Sequence, residues 1–425
     1  MEETAVENVK EKKRFPLWAR IVCIALAAII LIAAVLGITF VGVWNNEIST
    51  VSSFRQLRGR NDANEEGSVY RMDVKGGFYF DEFLESGGAS SDKQLIKFIT
   101  DHITRGLIDM GISETDIGCS SFTAVTESGD VLFGRNYDFK KTNTCLTICN
   151  PGNGRYKSFS TVDLNYIGIS PDEDVNGLMD KITCLAAPFV PLDGINEKGL
   201  SCGIYMSYQG AETVATNQNA ADKKNITSTT MLRMVLDYAA TVDEAVNLVK
   251  NYNLHDSANT SFHYMIADAS GKSAVLEWVP ENGTDSTDND GAARKLKVTY
   301  NDDERYNSLR ADDGFKYQWI TNFIIEEGYY DGEDDDAKQG YDRYEQIYGD
   351  LSAVKGKLKD EKAAMEILKT VGRRTWKGGG GCTVHSAVYN LTKKTVLWVA
   401  NENFGEESAC YSYSFDTNEL KSVKI

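Results

Sequence analysis

The sequence predicts an α+β layered sandwich of antiparallel sheets, preceded by one transmembrane helix. Three observations support this fold class. Two helical segments, at 228–238 and 241–251, lie between sets of segments with the alternating pattern of β-strands. Short turn sequences such as Ala269-Ser270-Gly271-Lys272 join consecutive strands, as antiparallel pairing requires. An apolar run at 21–43 comes before all of these elements.

The apolar run has the length and the flanks of a membrane anchor. A helix needs about 20 apolar residues to cross a bilayer, and no charge interrupts 21–43. Trp18 and Trp44 flank the run, and five basic residues precede it. We therefore expect a signal anchor at 21–44, a cytoplasmic basic tail at 1–20, and a single-pass membrane protein whose catalytic domain is extracytoplasmic. A cleaved signal peptide is the less favoured alternative.

Residues 45–118 are predicted to be a stalk and propeptide that contains one amphipathic helix. The segment 45–75 is polar and carries many charges, which is typical of an exposed stalk. Ser91 and Asp92 are suited to cap a helix from about Lys93 to Met110, because its apolar residues recur at three- and four-residue steps. A helix with one apolar face needs a packing partner, so we expect it to dock on the domain that follows.

Composition excludes several classes of function. The chain has 425 residues and a formal net charge of −17, which argues against nucleic acid as a partner, because phosphate binding needs clustered cations. The four histidines and eight cysteines show no spacing typical of metal ligands, so we expect neither a metal nor a cofactor. Six cysteines are expected to be core thiols or disulfides: Cys145, Cys149, Cys184, Cys202, Cys382 and Cys410.

A predicted β-hairpin carries the most distinctive chemistry. Its first strand begins with Gly118-Cys119, and its second ends with Gly134-Arg135-Asn136-Tyr137-Asp138-Phe139. If the strands pair, Cys119 lies near Arg135 and Asp138. A thiol beside a guanidinium and a carboxylate can be an activated nucleophile, and it can equally be a buried core cysteine. The hairpin alone leaves both interpretations open.

Five further motifs resolve this ambiguity: Asn196-Glu197-Lys198-Gly199-Leu200, Asn259-Thr260-Ser261-Phe262-His263-Tyr264, Thr321-Asn322-Phe323, Asp342-Arg343-Tyr344 and Ser386-Ala387-Val388-Tyr389-Asn390. With the hairpin, they resemble the choloylglycine hydrolase group of N-terminal-nucleophile hydrolases, which includes bile salt hydrolase, penicillin V acylase and acid ceramidase relatives. Arg135 and Asp138 follow Cys119 by 16 and 19 residues, which is the spacing of that family. The resemblance spans about 119–415 and implies a four-layer αββα sandwich for 119–425.

The resemblance implies a nucleophile that becomes the first residue of the mature chain. Cys119 is internal, so the Gly118–Cys119 bond must be cut, by attack of the thiol on the preceding carbonyl. The α-amine of Cys119 then acts as the general base, because an α-amine titrates near pH 8. Glycine at the cut suits a strained backbone and leaves its carbonyl open.

The resemblance also implies roles for the other site residues. Arg135 would lie against the thiol and lower its pKa, and Asp138 would hold the α-amine. Asn259 would donate to the oxyanion, with a backbone N–H near Tyr205 or Met206 as second donor, and Arg343 would balance Asp138. His385 replaces a tryptophan that is common in relatives. It is expected to be a packed or surface substitute without a catalytic role.

The function predicted from these residues is hydrolysis of the linear amide of a small N-acyl compound, with a lipid amide among the candidate substrates. An acyltransferase on the same fold is one alternative, and a non-catalytic cell-surface binding domain is another. The propeptide is expected to stay bound after the cut. The sequence leaves open whether the protein forms a homo-oligomer.

Overall fold

Side-chain packing and strand pairing are described from a computed structural model. It describes residues 16, 18, 22–27, 29–31, 42, 44–104, 118–208, 214–280, 290–304, 314, 316–327, 329–330, 338–374 and 381–425. The helices are α1 (Asn45–Ser53), α2 (Phe80–Glu85), α3 (Asp92–Ile99), α4 (Leu178–Thr183), α5 (Ser228–Tyr238), α6 (Val242–Val249), α7 (Tyr341–Ala353) and α8 (Glu361–Thr370).

The strands of the first half of the chain are β1 (Arg55–Arg58), β2 (Val69–Lys75), β3 (Gly118–Thr126), β4 (Val131–Phe139), β5 (Thr144–Asn150), β6 (Ser158–Asp163), β7 (Asp193–Asn196), β8 (Ser201–Met206) and β9 (Lys224–Thr227). Those of the second half are β10 (Tyr252–His255), β11 (Phe262–Ala267), β12 (Ser273–Val279), β13 (Lys295–Tyr300), β14 (Trp319–Ile320), β15 (Lys357–Leu358), β16 (Cys382–Asn390), β17 (Thr395–Ala400), β18 (Cys410–Ser414) and β19 (Glu419–Ser422).

Two large sheets form the centre of the folded unit that begins at Ser49. One sheet has nine strands in the order β1-β2-β5-β6-β7-β8-β11-β12-β13. The other has eight strands: β14-β3-β4-β16-β17-β18-β19 form a continuous order, and β15 also pairs with β3. Nearly all pairs are antiparallel, as predicted; within the two sheets the exceptions among the described strands are β2 with β5 and β15 with β3.

The packing of the helices produces a layered arrangement. Helix α5 lies on β7 and β8, and α6 lies on β11, so both cover the nine-stranded sheet. Helix α7 lies on β3 and β14, and α8 lies on β4 and β16, so both cover the eight-stranded sheet. The two sheets contact each other where β3 meets β8. The chain is therefore an α+β sandwich with helices outside both sheets, in agreement with the predicted class.

The segment predicted as a stalk is part of the nine-stranded sheet. Strand β2 pairs in parallel with β5 along its whole length, and Tyr70, Met72 and Val74 are buried. The charged residues Arg71, Asp73 and Lys75 alternate with this apolar face and gave the segment its polar composition. The exposed stalk expected at 45–75 is therefore not what the described residues form.

The predicted amphipathic helix begins where expected. The Ser91 hydroxyl accepts a hydrogen bond from the Gln94 N–H and caps α3. Leu95, Ile99 and Ile103 are buried, so the apolar face packs against the domain as predicted. The regular α-helix ends at Ile99 and continues as a π-helical turn at Thr100–Thr104. The rest of the predicted helix, 105–110, lies outside the described residues.

Most of the predicted membrane anchor at 21–44 also lies outside the described residues, as does most of the tail at 1–20. Within the part of the chain that is described, no helix has both the length and the apolar character needed to cross a membrane.

Candidate active site

The predicted hairpin forms and brings Cys119 to the charged end of its partner strand. Strands β3 and β4 pair so that Gly118 lies opposite Asp138 and Cys119 lies opposite Tyr137. The turn falls at 127–130, because Val125 pairs with Val131. Cys119 is fully buried where the two sheets contact each other. The hairpin thus places a thiol, a guanidinium and a carboxylate together, as the sequence predicted.

Arg135 contacts the side chain of Cys119. Its Nη2 atom lies 3.5 Å from the Cys119 Sγ and donates a second hydrogen bond, of 2.7 Å, to the Ile204 carbonyl oxygen. Its guanidinium carbon lies 4.3 Å from the centre of the Tyr205 ring. Burial raises the pKa of the Cys119 thiol above its ordinary value, and the charge of Arg135 offsets this only in part. Arg135 therefore acts on the thiol pKa in the expected direction, but burial outweighs its effect in the uncut chain.

A buried carboxylate holds Arg135 from the other side. Arg135 Nε donates to Asp193 Oδ2 at 2.8 Å. His385 Nε2 lies 2.8 Å from the same oxygen, and the Tyr389 hydroxyl donates to the other oxygen. Burial alone would raise the pKa of Asp193, but His385 and Arg135 lower it below the ordinary range. Asp193 is therefore ionised and fixes the position of the arginine.

Arg343 contacts the backbone of Cys119. Its Nη1 atom donates to the Cys119 carbonyl oxygen at 3.2 Å and to Asp138 Oδ2 at 2.7 Å. Its Nη2 atom donates to Asn322 Oδ1 at 2.8 Å. Thr383 Oγ1 donates to the remaining Asp138 oxygen at 2.7 Å. The predicted balance between Arg343 and Asp138 is thus a direct, buried ion pair.

Asn322 binds the backbone nitrogen of Cys119. The Cys119 N–H donates to Asn322 Oδ1 at 2.9 Å, and Asn322 Nδ2 donates to the Met206 carbonyl oxygen at 2.8 Å. These contacts set the orientation of the amide, because one end accepts and the other donates. The nitrogen that would become the α-amine is therefore held by Asn322 in the uncut chain, and Asp138 is held by Arg343 and Thr383.

Gly118 is the first residue of β3, and its φ does not lie in the left-handed region. A Cβ added at this position would lie 3.0 Å from both the Cβ and the Oδ2 of Asp138. Close approach to the Asp138 side chain therefore favours glycine at this position.

The three predicted oxyanion residues occupy different positions. Tyr205 is buried beneath Arg135, and its hydroxyl shares a hydrogen bond with Ser121. Met206 is the last residue of β8, and its carbonyl oxygen accepts a hydrogen bond from Asn322 Nδ2. Asn259 is exposed, has a φ of 53°, and ends a short 3₁₀ turn. The structure therefore brings Tyr205 and Met206 to the site but leaves the Asn259 side chain at the surface.

Sequence reasoning missed the roles of Asn322 and Asp193. Asn322 was part of a recognised motif, Thr321-Asn322-Phe323, and this signal could have led to it. Asp193 stands in a turn-like segment, and its arginine, histidine and tyrosine partners come from β4 and β16 of the other sheet. No local pattern links residues so distant in the chain.

His385 is a packed residue and not a surface one. Its ring stacks between Tyr137 and Trp398, with centroids 5.4 and 5.6 Å away, and it is bonded to Asp193. The six further cysteines are buried and unpaired thiols. Among the described residues, no group of histidine, cysteine, aspartate and glutamate side chains is arranged to hold a metal ion.

Comparison with known families agrees with this site. Residues 119–288 match the model of the linear amide C–N hydrolases, choloylglycine hydrolase family. The match begins at Cys119 and covers less than half of the chain. It confirms the resemblance predicted from the motifs: this part of the chain is similar to the linear amide C–N hydrolases.

Individual relatives share modest identity with the chain. A bile salt hydrolase/transferase from Clostridium perfringens is 29% identical over 179 residues, which are 38% of this chain and 49% of that protein. The chain thus spans about half the length of this curated relative.

Two solved structures are also similar. A variant of a conjugated bile acid hydrolase from Clostridium perfringens has a TM-score of 0.45 at 20% identity, over 72% of this chain and 97% of that one. Penicillin V acylase from Agrobacterium tumefaciens has a TM-score of 0.44 at 15% identity, over 70% of this chain and 86% of that one.

Proposed function

We propose that the protein hydrolyses the linear amide of an N-acyl compound, with Cys119 as an N-terminal nucleophile released by cleavage of the Gly118–Cys119 bond. One observation supports this most strongly. Two separate polar groups hold the two reacting atoms of the same residue, because Arg135 contacts Sγ and Asn322 contacts the backbone nitrogen. An enzyme that uses the thiol as nucleophile and the α-amine as base needs both atoms fixed.

The hydrolysis runs in two steps. The Cys119 thiol gives its proton to its own α-amine, and Sγ forms a bond to the amide carbon. When the tetrahedral intermediate collapses, the carbon–nitrogen bond breaks, the amine leaves with the proton from the α-ammonium, and a thioester remains. Water, activated by the same α-amine, then attacks the thioester and releases the carboxylic acid.

The buried charges suit this chemistry. Arg135 stabilises negative charge on sulfur once the proton has left, since its guanidinium lies 3.5 Å from Sγ. Arg343 neutralises Asp138, so that the site does not carry an unpaired carboxylate next to the attacking thiolate. Asn322 Oδ1 accepts a hydrogen bond from the Cys119 N–H in the uncut chain. After the cut, the same contact would orient the lone pair of the Cys119 α-amine for proton transfer.

The same residues support self-cleavage. The Cys119 thiol attacks the Gly118 carbonyl, the Gly118–Cys119 amide bond breaks, and Gly118 is left as a thioester on Sγ. Water hydrolyses this thioester and leaves a free thiol and a free α-amine on Cys119. Cys119 is fully buried in the uncut chain, so the cut also precedes access of an external substrate.

A panel of N-acyl amides tests the hydrolysis directly. The full-length chain is expressed, its mature N-terminus is determined, and release of free amine is followed for N-acyl amino acids, N-acylethanolamines, ceramides, bile salt conjugates and penicillin V. Hydrolysis of at least one class, lost in Cys119→Ala, is expected. A processed chain that cleaves none of them more rapidly than Cys119→Ala would contradict the proposal.

Acyl transfer is a second candidate, because the similar protein from Clostridium perfringens is named a bile salt hydrolase/transferase. The thioester is common to both reactions, and the acceptor decides between them. Product analysis with and without an added amine separates the two: a new N-acyl product indicates transfer, and free acid alone indicates hydrolysis.

We also propose that residues 49–104 stay bound after the cut. Strand β2 pairs with β5 over seven residues, so a continuous set of backbone hydrogen bonds joins this segment to the catalytic part. Phe80, Phe83 and Phe98 pack around Phe189, with ring centroids between 5.5 and 6.2 Å from it. This burial of aromatic surface opposes dissociation.

Polar contacts add to this attachment. The Arg155 side chain donates to the Gly77 carbonyl oxygen at 2.7 Å, and the Ala258 N–H donates to Asp92 Oδ2 at 2.7 Å. The Asn225 N–H donates to the Gly87 carbonyl oxygen at 2.9 Å. Co-elution of the two fragments from a sizing column without denaturant is expected, and separation under those conditions would contradict it.

Membrane attachment through 21–44 remains a proposal that rests on the sequence alone. If it holds, membranes washed at neutral pH retain both fragments of the cleaved chain, because the leading fragment links the anchor to the catalytic part. Recovery of the uncleaved chain in the soluble fraction would contradict the anchor.

A further inference from the structure

We propose that His263 and Glu277 form a buried clamp that positions Asn322 against the nitrogen of Cys119. Neither residue touches Cys119 in any hydrogen bond described above, and both lie on the nine-stranded sheet, on β11 and β12. Their role would be that of positioning residues that act through Asn322. The inference deepens the proposed function and rests on it for its catalytic consequence.

The clamp holds both ends of the segment that carries Asn322. His263 Nε2 lies 2.9 Å from the Thr321 carbonyl oxygen, one residue before Asn322. The two Glu277 oxygens accept hydrogen bonds from the N–H groups of Ile325 and Glu326, at 2.8 and 3.0 Å. His263 Nδ1 lies 2.9 Å from Glu277 Oε1 and joins the two halves of the clamp.

The hydrogen-bond partners of His263 and Glu277 determine how many protons the two side chains carry. A carbonyl oxygen has no proton to give, so His263 Nε2 must carry one. One further proton is needed between His263 Nδ1 and Glu277 Oε1, because two bare lone pairs would repel each other at 2.9 Å. The pair therefore has no net charge whichever atom holds that proton. Both side chains have negligible exposure, and their hydrogen bonds hold them in place. The buried pair is therefore a rigid support without net charge.

The segment between these contacts crosses from one sheet to the other. Strand β14 pairs with β3 of the eight-stranded sheet and ends at Ile320, immediately before Thr321. Two residues later, Phe323 forms a bridge with Tyr208, which follows β8 of the nine-stranded sheet. Asn322 therefore lies at the crossing, and His263 and Glu277 fix the segment from the nine-stranded side.

Precise placement matters here because Asn322 makes three hydrogen bonds at once. Its amide accepts from the Cys119 N–H and from Arg343, and it donates to the Met206 carbonyl. A misplacement of about 1 Å at a catalytic group can cost about 10²-fold in rate. Loss of the clamp is therefore expected to lower kcat and the rate of self-cleavage, and to leave substrate binding largely unaffected.

The first experiment measures positioning without any need for activity. Backbone hydrogen–deuterium exchange is followed in the full-length Cys119→Ala chain, which stays uncut, with His263→Gln or Glu277→Gln added. Exchange at least about tenfold faster is expected at Ile325, at Glu326 and at the amide of residue 119, since each loses a held acceptor. His255→Gln is the matched control: a buried histidine with two hydrogen bonds, to Asn217 and Asn225, which should leave all three amides unchanged.

The second experiment measures the consequence in the chain with Cys119 intact. Each single variant is expected to lower kcat about 10²-fold with KM within about threefold of the wild-type value. Because both residues act through one clamp, the double variant should be no more than about threefold worse than the poorer single variant.

Three outcomes would overturn the inference. The first is that the clamp variants leave hydrogen exchange at residue 119 unchanged. The second is faster exchange together with unaltered kcat and self-cleavage, and the third is a double variant whose loss of kcat equals the product of the two single losses. If the wild-type chain neither cuts itself nor hydrolyses an amide, the proposed function fails on its own, and the exchange data still decide whether the clamp positions Asn322.

Discussion

The two buried arginines beside Cys119 hold different parts of that residue. Arg135 contacts the thiol and is held by Asp193, which also binds His385 and Tyr389. Arg343 contacts the carbonyl oxygen of Cys119 and is held by Asp138 and Asn322. The first cluster therefore controls the nucleophile, and the second controls the backbone at the proposed cut.

Two side chains of the same charge therefore have separate roles at Cys119: Arg135 acts on the thiol, and Arg343 acts on the backbone. The anchoring carboxylates also come from different places. Asp138 lies on β4 opposite Gly118, and its partner Arg343 comes from α7, which covers the same eight-stranded sheet. Asp193 lies on β7 of the facing sheet. Substitutions on the two sides should therefore produce different defects, and the predictions below exploit that difference.

The largest effect is expected at the residue shared by both clusters. Cys119→Ala should abolish self-cleavage and lower amide hydrolysis by about 10⁶-fold, as loss of a covalent nucleophile does elsewhere. Cys202→Ala is the matched control, because Cys202 is another buried thiol whose pKa is raised by burial. Cleavage and turnover are followed by gel and by amine release, and an active Cys119→Ala chain would remove the basis for both clusters.

The next largest effect should separate two asparagines. Asn322→Ala is expected to lower kcat about 10²–10³-fold, the usual cost of one preorganised hydrogen-bonding group. Asn259→Gly should stay within about threefold of wild type, because its side chain is exposed and glycine tolerates its φ of 53°. The opposite ranking would restore Asn259 to the oxyanion role that the sequence predicted.

Stability should distinguish the two arginines. Arg343→Met leaves Asp138 buried with only Thr383 as a described side-chain partner, and should cost about 3–5 kcal/mol in the free energy of unfolding. Arg135→Met should cost less, because Asp193 keeps His385 and Tyr389. Urea unfolding of uncut Cys119→Ala chains measures both, with exposed Lys97→Met as control, which should stay within about 1 kcal/mol. Equal losses would show that the clusters are not distinct in this respect.

A smaller, graded effect is expected from pH. Burial raises the pKa of the Cys119 thiol, while Arg135 and Arg343 lower it and Asp138 raises it further. The folded uncut chain therefore holds the protonated thiol at neutral pH, and the thiolate fraction rises about tenfold per pH unit below that pKa. From pH 6 to pH 8, which is two pH units, self-cleavage should therefore accelerate about 100-fold. A rate independent of pH over this range would argue against thiolate attack.

The sequence could predict the site where it depends on local structure. Cys119, Arg135 and Asp138 were found because one hairpin with one short turn brings them together. Arg343 was found only through the family resemblance, since no local pattern relates α7 to the hairpin. Asn322 and Asp193 were missed because their positions depend on how the two sheets face each other, which alternation and turn signals do not encode.

The same reason explains the error at 45–75. The charges of β2 were interpreted as a sign of solvent exposure, although Tyr70, Met72 and Val74 alternate with Arg71, Asp73 and Lys75 as in a strand. Its parallel partner β5 follows about 75 positions later in the chain, and only that long-range pairing turns the segment into part of a sheet.

The N-terminal residue of the purified catalytic chain tests the central claim most directly. Edman sequencing or intact-mass analysis of active protein should give a chain that begins at Cys119 and spans residues 119–425, and Cys119→Ala should give only uncut protein. Active material that begins at any other residue, or that remains uncut, would contradict an N-terminal nucleophile at Cys119.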